Sequence, residues 1–455
     1  MSYKAIYPYN GKEIKTFKNF SYQKVDNILD KAEKFYQMAK KQPFKNRAIL
    51  LNKLAEEFLQ NIDKYAKPMT TNMGKLFDES QGEIKKTANF AQYYAKNWEK
   101  LTKKVSYNDL PEGKAYVEFS STGIVLAIEP WNFPYTQVMR VLAPNFLLGN
   151  PVILKHASII PECAEAFENA CKRAGLPEGA FTNLFVDYSQ IDKIIADDRV
   201  QGVALTGSEN AGRKIAASAG KYLKKSTMEL GGTDIFAVLG DADAKKAAKD
   251  AAAGRLQNSG QICTSSKRFL VNKKVYSDFK RELIKQFSSY QLGDPFDKST
   301  TLAPLSSKGA QQTLQRQVDR CLKGGAKLIW GDKKPIKGPG CLFNPLIISG
   351  IQKNNPMYDQ ELFGPVAQLY KVNSDEELVN LANDSHQGLG GAIYTGNIQH
   401  GQKIASQIET GMLTINQIMT SHPEVPWGGI KNSGYGRELN NWGIYEFANI
   451  KPVIY

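Results

Sequence analysis

Histidine and cysteine are scarce in this sequence, and long hydrophobic runs are absent. The chain has 4 histidines and 5 scattered cysteines in 455 residues. An odd number of irregularly spaced cysteines argues against a disulfide framework and fits a reducing compartment. No run of about 18 apolar residues occurs, and the first residues do not lead from a basic stretch into an apolar one. We therefore expect a soluble, cytoplasmic protein with no membrane partner.

The charge of the chain is positive but dispersed. The formal net charge is +14, and the lysines are spread along amphipathic helical patterns instead of forming a basic block. This favours a solvated surface over a nucleic-acid interface. Hydrophobic residues make up 42% of the chain and charged residues 23%, which is a globular composition. A chain of this length should divide into two or three domains.

The order of apolar patterns predicts an α/β fold. Helical spacing fills the first hundred residues, after which short apolar runs alternate with helical segments. Such alternation predicts parallel sheets covered on both faces, with ligands at the carboxyl ends of the strands. We expect two doubly wound parallel-sheet domains, a cofactor-binding domain (residues 1–99 and 120–230) and a catalytic domain (residues 231–437). A small β oligomerisation element (residues 100–119 and 438–455) completes the division.

One cysteine differs from the other four in its surroundings. Cys263 lies among small and polar residues in NSGQICTSSK, whereas a cysteine kept only for packing normally has apolar neighbours. A reactive thiol needs exposure and help in forming the thiolate, and this setting allows both. We interpret the remaining cysteines as structural: Cys163, Cys171, Cys321 and Cys341.

Four further positions could carry chemistry. Gly207 lies between an apolar strand and a helix, where free N–H groups can hold a pyrophosphate, and Lys155 ends the buried strand PVILK. Glu229 precedes a Gly-Gly pair, and Asn132 lies in the rigid loop EPWNFP, where its amide could donate to an oxyanion. Each position also has an ordinary interpretation: a glycine turn, a solvated lysine, a strand-end glutamate or a packed turn.

Taken together, six motifs resemble the aldehyde dehydrogenase superfamily. In chain order they are EPWNFP, LTGS, ELGG, GQICTS, ELFGPV and PWGGIKNSGYGRE, and they cover nearly the whole chain. The interval from Glu229 to Cys263 matches the family's spacing of general base and nucleophile. The resemblance implies oxidation of an aldehyde to a carboxylic acid with NAD or NADP as cofactor, by a homodimer or homotetramer.

The resemblance also implies a role for each matching residue. Cys263 would be the nucleophile, Asn132 an oxyanion donor, and Glu229 the base that activates water. Attack by the thiolate would give a thiohemiacetal, whose collapse would pass hydride to the cofactor and leave a thioester for hydrolysis. No metal is required. Cofactor contacts would come from Trp131, Lys155, Ser158, Gly207, Ser208, Glu361 and Phe363.

Three positions depart from common family patterns. Ser158 stands where members specific for NAD commonly carry a glutamate that repels a 2′-phosphate, so both NAD and NADP stay open and use of both is expected. Val141 replaces a lysine found in many members, and Trp427 replaces the phenylalanine of PFGG. Neither of the last two changes removes a catalytic atom.

Two residues suggest the substrate. Arg140 and Ser421 match positions that hold the distal carboxylate in succinate-semialdehyde dehydrogenases, and an arginine fork suits a carboxylate. Gln257 replaces a second arginine of some of those enzymes, which predicts weaker binding of the distal carboxylate and a broader substrate range. A helix-surface arginine and a broad specificity for uncharged aldehydes are the alternatives.

Two other function classes fit the sequence less well. A cofactor-independent thiol hydrolase or acyltransferase needs a histidine partner for Cys263, but the four histidines are scattered and only His422 lies near a motif. A non-enzymatic protein that kept the fold would be expected to have lost Cys263, Glu229 or Asn132. All three residues are present.

Overall fold

The computed structural model describes residues 3–111 and 113–455, and its α/β architecture confirms the predicted fold class. The helices are α1 (Tyr22–Ala39), α2 (Phe44–Gln60), α3 (Ile62–Met73), α4 (Phe77–Leu101), α5 (Thr136–Leu148), α6 (Pro161–Arg173), α7 (Tyr188–Ala196), α8 (Glu209–Lys221), α9 (Ala244–Leu256), α10 (Tyr276–Ser288), α11 (Lys308–Lys323), α12 (Asp375–Asn383), α13 (Ile398–Ala405) and α14 (Asn440–Tyr445). The strands are β1 (Tyr3–Ile6), β2 (Glu13–Phe17), β3 (Val105–Leu110), β4 (Gly113–Ser121), β5 (Ile124–Glu129), β6 (Val152–His156), β7 (Phe181–Asn183), β8 (Val200–Thr206), β9 (Lys225–Glu229), β10 (Ile235–Val238), β11 (Arg268–Asn272), β12 (Lys327–Trp330), β13 (Leu346–Ser349), β14 (Val366–Val372), β15 (Gln387–Gly388), β16 (Gly391–Tyr394), β17 (Thr414–Ile415), β18 (Ile430–Lys431), β19 (Gly434–Tyr435) and β20 (Ala448–Ile454).

A six-stranded sheet organises the first half of the chain. Its strand order is β19-β9-β8-β5-β6-β7, and every pair is parallel except β19 with β9. Alternate side chains of β5 point to opposite faces: Val125 and Ala127 pack with α2–α6, whereas Ile124 and Leu126 pack with α1, α7 and α8. Burial on both faces explains the near-continuous apolar run of this strand.

A seven-stranded sheet organises the second half. Its order is β12-β13-β14-β11-β10-β16-β17, and only the pair of β12 with β13 is antiparallel. Phe236 and Val238 of β10 pack with α9 and α10, and the alternate residues Ile235 and Ala237 pack with α12 and α13. Helices therefore cover this sheet on both faces too.

A three-stranded antiparallel sheet has the order β20-β4-β3. It pairs β3 and β4, which precede β5, with β20, the last strand of the chain. Ala448 pairs with Ser121 at one end of the ladder and Ile454 with Ala115 near the other. Both outer strands expose large apolar side chains.

Two local features were not predicted. The β1–β2 hairpin precedes the helical region, and β19 pairs with β9 although it lies more than 200 residues further along the chain. The domain boundaries stay predictions, and residues 1, 2 and 112 within them lie outside the described residues. Within residues 3–111 and 113–455, none of the helices has both the length and the apolar character needed to cross a membrane.

Candidate active site

The carboxyl ends of the strands in the six-stranded sheet gather most of the predicted site residues. Glu229 is the last residue of β9, and Lys155 lies near the end of β6. The loop after β5 carries Asn132, and the turn from β8 into α8 carries Gly207 and Ser208. Parallel strands bring these ends to one edge, which is where ligands bind in open α/β sheets.

A left-handed turn delivers the candidate nucleophile from the other half of the chain. Asn258, Ser259 and Gly260 have φ values of 47°, 52° and 72°. For residues with a Cβ atom this conformation costs about 1–2 kcal/mol each, so local contacts have to offset it. The Asn258 amide donates to the Asn132 carbonyl oxygen at 3.1 Å, and the Ser259 hydroxyl donates to the Ala303 carbonyl oxygen at 2.7 Å. The turn is therefore tied to the loop that carries Asn132.

The Asn132 side chain is held in a defined orientation. Its Nδ2 donates to the Gln261 carbonyl oxygen at 3.0 Å, and its Oδ1 accepts from Nε2 of Gln137 at 3.2 Å. Lys75 donates to the Asn132 carbonyl oxygen at 2.8 Å. An amide nitrogen has two hydrogens, and only one N–H of Asn132 is bonded to another described residue, so the second can serve a ligand in the cavity that Asn132 and Cys263 both line.

The Cys263 thiol is half-buried and lies where two cavities meet. Burial raises the pKa of this thiol to about 12, while the positive charges of Lys267 and Arg140 act to lower it. Lys267 is fully buried, donates to the carbonyl oxygens of Ile262 and Cys263, and forms an ion pair with Glu361 at 2.9 Å. It therefore links the nucleophile loop to a predicted cofactor residue.

Glu229 is buried and lies in an acidic environment. Burial raises the pKa of its carboxyl group well above the usual range, and repulsion by Glu438 adds to this, while Arg140 lowers it. Arg140 and Glu438 form a buried ion pair, with Nε and Oε2 at 2.8 Å. Glu229 lines neither cavity itself, although Leu230 and Gly231, which follow it, line one of them.

The first cavity, of about 260 Å³, has five of the seven predicted cofactor residues in its wall: Trp131, Gly207, Ser208, Glu361 and Phe363. The Trp131 and Phe363 rings meet edge to face, with centroids 5.8 Å apart. A Cβ atom at Gly231 would meet the Glu361 carboxylate, so the glycine allows this carboxylate to lie against the backbone in the cavity wall. The remaining wall is formed by Pro130, Asn132, Gln137, Thr206, Leu230 and Cys263.

Lys155 is a buried lysine without an acidic partner among the described residues. Its Nζ lies 4.8 Å from the centroid of the Tyr188 ring, and burial lowers its pKa to about 8. Ser158, three residues on, is half-buried and carries no charge. Lys155 is therefore a buried cation that no carboxylate of the described residues neutralises.

The second cavity, of about 310 Å³, lies on the other side of Cys263 and contains both predicted substrate residues. Arg140 is buried in its wall, with its guanidinium 5.3 Å from the Trp427 ring centroid. Ser421 is buried in the same wall. The other lining residues include Lys86, Gln257, Thr264 and Thr420.

The structure thus brings the predicted nucleophile, the predicted amide, five of the seven cofactor positions and both substrate positions around two adjoining cavities. Lys155 and Ser158 lie along the same sheet edge but line neither cavity. Sequence reasoning missed four supporting residues: Lys75, Gln137, Lys267 and Glu438. Most of their partners are distant in sequence or belong to the backbone, so composition and motif gave little signal for them.

No histidine of the described residues lines either cavity. The His156 ring, for example, forms its hydrogen bonds with the carbonyl oxygens of Glu129 and Pro134 and not with Cys263. A thiol hydrolase built on a Cys–His pair is therefore not supported by this geometry.

Comparison with known proteins gives consistent results over the full length. A model of the aldehyde dehydrogenase family matches residues 1–453. A Deinococcus radiodurans protein named NADP(+) succinate-semialdehyde dehydrogenase is 40% identical over 449 residues, which cover 99% of this chain and 94% of the relative. A Synechocystis protein named probable NADP(+) succinate-semialdehyde dehydrogenase is 39% identical, with 100% of this chain and 99% of the relative covered.

A solved structure is similarly close. The succinic semialdehyde dehydrogenase of Streptococcus pyogenes, crystallised in complex with NADP+ as the cofactor, matches with a TM-score of 0.98 and 47% identity. The match covers 100% of this chain and 99% of that one.

Proposed function

The chain belongs to the aldehyde dehydrogenase family and is an oxidoreductase, and we propose that it oxidises succinate semialdehyde to succinate with NADP as the preferred cofactor. The observation that carries this proposal is the placement of Cys263 between a cavity with the cofactor positions and a cavity that contains Arg140. The names of the relatives with 40% and 47% identity support the same substrate and cofactor.

Cys263 is the nucleophile in this proposal. After the thiol proton is lost to solvent, Sγ attacks the aldehyde carbon and the C=O π pair moves to the oxygen. The new oxyanion accepts hydrogen bonds from the second N–H of Asn132 and from the Cys263 backbone N–H. Removing one such donor costs about 3–4 kcal/mol of transition-state stabilisation in other acyl-transfer enzymes. Gln137 and the Gln261 carbonyl hold the Asn132 amide in place, so this donor is oriented before the substrate arrives.

Glu229 acts as the base for hydrolysis of the thioester. It takes a proton from water, whose oxygen attacks the thioester carbon, and the C–S bond breaks to release the acid and the Cys263 thiolate. Since Glu229 lines neither cavity, its side chain has to turn towards Cys263 for this step. The raised pKa of the carboxyl group makes it a stronger base than an exposed glutamate.

The residues of the first cavity fit a nicotinamide dinucleotide. When bound, the cofactor supplies a hydride acceptor next to Cys263. Trp131 and Phe363 form an aromatic wall, Glu361 is fixed by Lys267, and Ser208 caps the start of α8, whose N–H groups suit a pyrophosphate.

The preference for NADP rests on the charges near the adenosine ribose position. Lys155 has no acidic partner among the described residues and can pair with a 2′-phosphate, and Ser158 brings no negative charge to oppose it. NAD lacks the phosphate but makes the other contacts, so it is accepted more weakly.

The second cavity holds the substrate by its distal carboxylate. The guanidinium of Arg140 and the hydroxyl of Ser421 offer donors to this group while the aldehyde reaches Cys263. The Arg140 Nε is already paired with Glu438, so only the outer nitrogens of the fork are left for the substrate.

We also propose that the three-stranded sheet pairs subunits in a homodimer or homotetramer. One face of this sheet is apolar, because cross-strand partners share a face: Tyr107, Ala115 and Ile454 lie together, as do Phe119 and Ile450. This proposal includes the division into residues 1–99 and 120–230 for the cofactor, residues 231–437 for catalysis, and residues 100–119 and 438–455 for oligomerisation.

An assay of cofactor reduction tests the central proposal. Wild-type protein is mixed with NADP or NAD and with succinate semialdehyde or an uncharged aldehyde, while absorbance of the reduced cofactor is followed. We expect the highest kcat/KM with NADP and succinate semialdehyde, and no reduction by Cys263→Ala, which still binds the cofactor. A wild type that prefers the uncharged aldehyde would contradict the proposed substrate but not membership of the family.

A further inference from the structure

The substrate cavity contains a second cation that no motif identified. Lys86 lies on α4, on the wall that also includes Arg140, Ser421 and Cys263. Its Nζ donates to the Thr420 hydroxyl at 2.8 Å, and no carboxylate of the described residues forms an ion pair with it. A half-buried ammonium group with only a neutral partner is a costly arrangement unless an anionic ligand uses it.

The acidic residues of the same cavity already have other partners. Glu83 forms a fully buried ion pair with Lys75 and accepts from the backbone N–H of Tyr135 and Thr136. Glu79 accepts from the backbone N–H of Asn258 at 3.1 and 3.2 Å. The Lys86 charge is thus left for whatever occupies the cavity.

Arg140 alone offers a substrate carboxylate only part of its charge and hydrogen-bonding capacity. Its charge is shared with Glu438, and Gln257 lines the cavity as a neutral side chain. We propose that Lys86 is a specificity-determining residue that binds the distal carboxylate of the substrate together with Arg140 and Ser421. This inference rests on the proposed function, since it concerns the substrate of the same site.

The electrostatics of the cavity agree with this role. Burial lowers the pKa of Lys86 to about 8, and repulsion by Arg140 adds to the effect, while Glu83 raises the pKa and Lys75 lowers it. Burial and nearby positive charge both disfavour the charged form of a lysine, and a bound carboxylate opposes both effects. Glu79, the other acid of this wall, has its own pKa raised by burial.

Lys86→Met is the decisive variant, and Lys85→Met is its matched control, because Lys85 is exposed on the same helix. Each is assayed at saturating NADP with succinate semialdehyde and with its uncharged methyl ester. We expect Lys86→Met to raise the KM for the acid about tenfold or more and that for the ester less than about twofold, since a hydrogen bond to a charged group is lost only for the acid. Lys86→Arg should restore most of the preference, and Lys85→Met should leave both KM values unchanged.

A pH series adds a readout that a purely structural role would not change. The charged form of Lys86 exists below its pKa, so the ratio of kcat/KM for the acid to that for the ester should fall as the pH rises through about 8. The ratio cancels ionisation of Cys263 and Glu229, which both substrates share. In Lys86→Arg the ratio should stay level, because the guanidinium does not deprotonate there.

The outcomes separate this inference from the proposed function. If the wild type prefers the acid but Lys86→Met keeps that preference, or raises both KM values equally, the role of Lys86 is wrong and the proposed substrate stands. If the wild type has no preference for the acid, the proposed substrate and the role of Lys86 are both wrong.

Discussion

Opposing influences act on the Cys263 thiol. Burial raises its pKa to about 12, and Lys267 and Arg140 only partly counter this. The thiolate is the form that attacks a carbonyl, so before ligands bind the enzyme at neutral pH holds mainly the less reactive thiol. Since the pKa is raised, reactivity should increase with pH, and alkylation of Cys263 should be slow at pH 7. The thiol proton therefore has to be lost before attack, and the positive charges of Lys267 and Arg140 favour the thiolate that remains.

Replacement of Glu229, the proposed base for thioester hydrolysis, should separate the two halves of the reaction. In Glu229→Gln we expect a burst of reduced NADP of about one equivalent followed by very slow turnover, because the thioester forms but water is not activated. Stopped-flow absorbance measures the burst, and mass spectrometry of the intact protein detects acylated Cys263. Cys263→Ala serves as the control and should show neither signal. Steady turnover of Glu229→Gln without an acylated intermediate would remove Glu229 from this role.

The pKa of Lys155 predicts how cofactor selectivity changes with pH. Burial lowers this pKa to about 8, so the charged form that pairs with a 2′-phosphate is present below about pH 8 and is lost above it. We expect the Kd of NADP to rise above this pH more than the Kd of NAD. Lys155→Met should raise the Kd of NADP about tenfold or more at pH 7, with a smaller effect on NAD.

The control for that experiment is Lys193→Met, which replaces an exposed lysine of α7. Fluorescence titration with each cofactor gives the Kd values. Equal losses for NADP and NAD in Lys155→Met would mean that Lys155 contacts a group common to both cofactors. Ser158→Glu should shift the preference towards NAD, since its carboxylate would repel the phosphate.

The nucleophile turn shows how an element can depend on contacts that are distant in sequence. Asn258, Ser259 and Gly260 all adopt left-handed φ values, and several of their stabilising partners come from remote segments. Ser259 is bound by Ala303, and Gly260 approaches the carbonyl oxygen of Gly364 so closely that a Cβ atom there would collide with it. The turn is a rigid support for Cys263, which lies three residues further on.

Gly260→Ala should therefore damage both stability and catalysis. The new methyl group meets backbone atoms and the φ of 72° is unfavourable for alanine, so we expect a lower melting temperature and a kcat reduced at least about tenfold. Gly220→Ala is the matched control, because Gly220 lies in α8 with open space around its Cα. Thermal unfolding and the cofactor-reduction assay measure the two effects. An unchanged kcat in Gly260→Ala would show that the turn does not position the thiol.

Some elements were predictable from the sequence because their signals are local. The apolar run of β5 and the amphipathic pattern of α4 are set by neighbouring residues, and the structure has both. The pairing of β19 with β9 was not predictable, since a two-residue strand carries almost no pattern. Similarly, Cys263 stood out by its polar neighbours, whereas Lys86 looked like any solvated helix lysine until the packing of α4 on the cavity was known.

At the scale of the whole molecule, the three-stranded sheet presents an apolar face and a polar face. Val105 and Tyr107 of β3 share one face with Ile450 and Ile454 of β20, and all four side chains are exposed. The opposite face carries Glu118 with its ion pairs to Lys104 and Lys451. A large exposed apolar face of this kind is typical of a protein interface. Pro452 removes an N–H from the middle of β20, which disfavours edge-to-edge strand pairing there, so we expect contact through the side chains.

Charged substitutions on that face should weaken subunit association. We expect the double variant Ile450→Glu with Ile454→Glu to elute as a smaller species than the wild type in size-exclusion chromatography with light scattering, because it places two carboxylates in an apolar contact. Ile49→Glu is the matched control: Ile49 is 49% exposed and Ile450 is 47% exposed, but Ile49 lies on α2, away from the sheet. The control should keep the wild-type mass. A wild type with the mass of one chain, or a double variant that keeps the wild-type mass, would show that this face does not join subunits. If the double variant dissociates and still reduces NADP, a single chain is sufficient for the reaction.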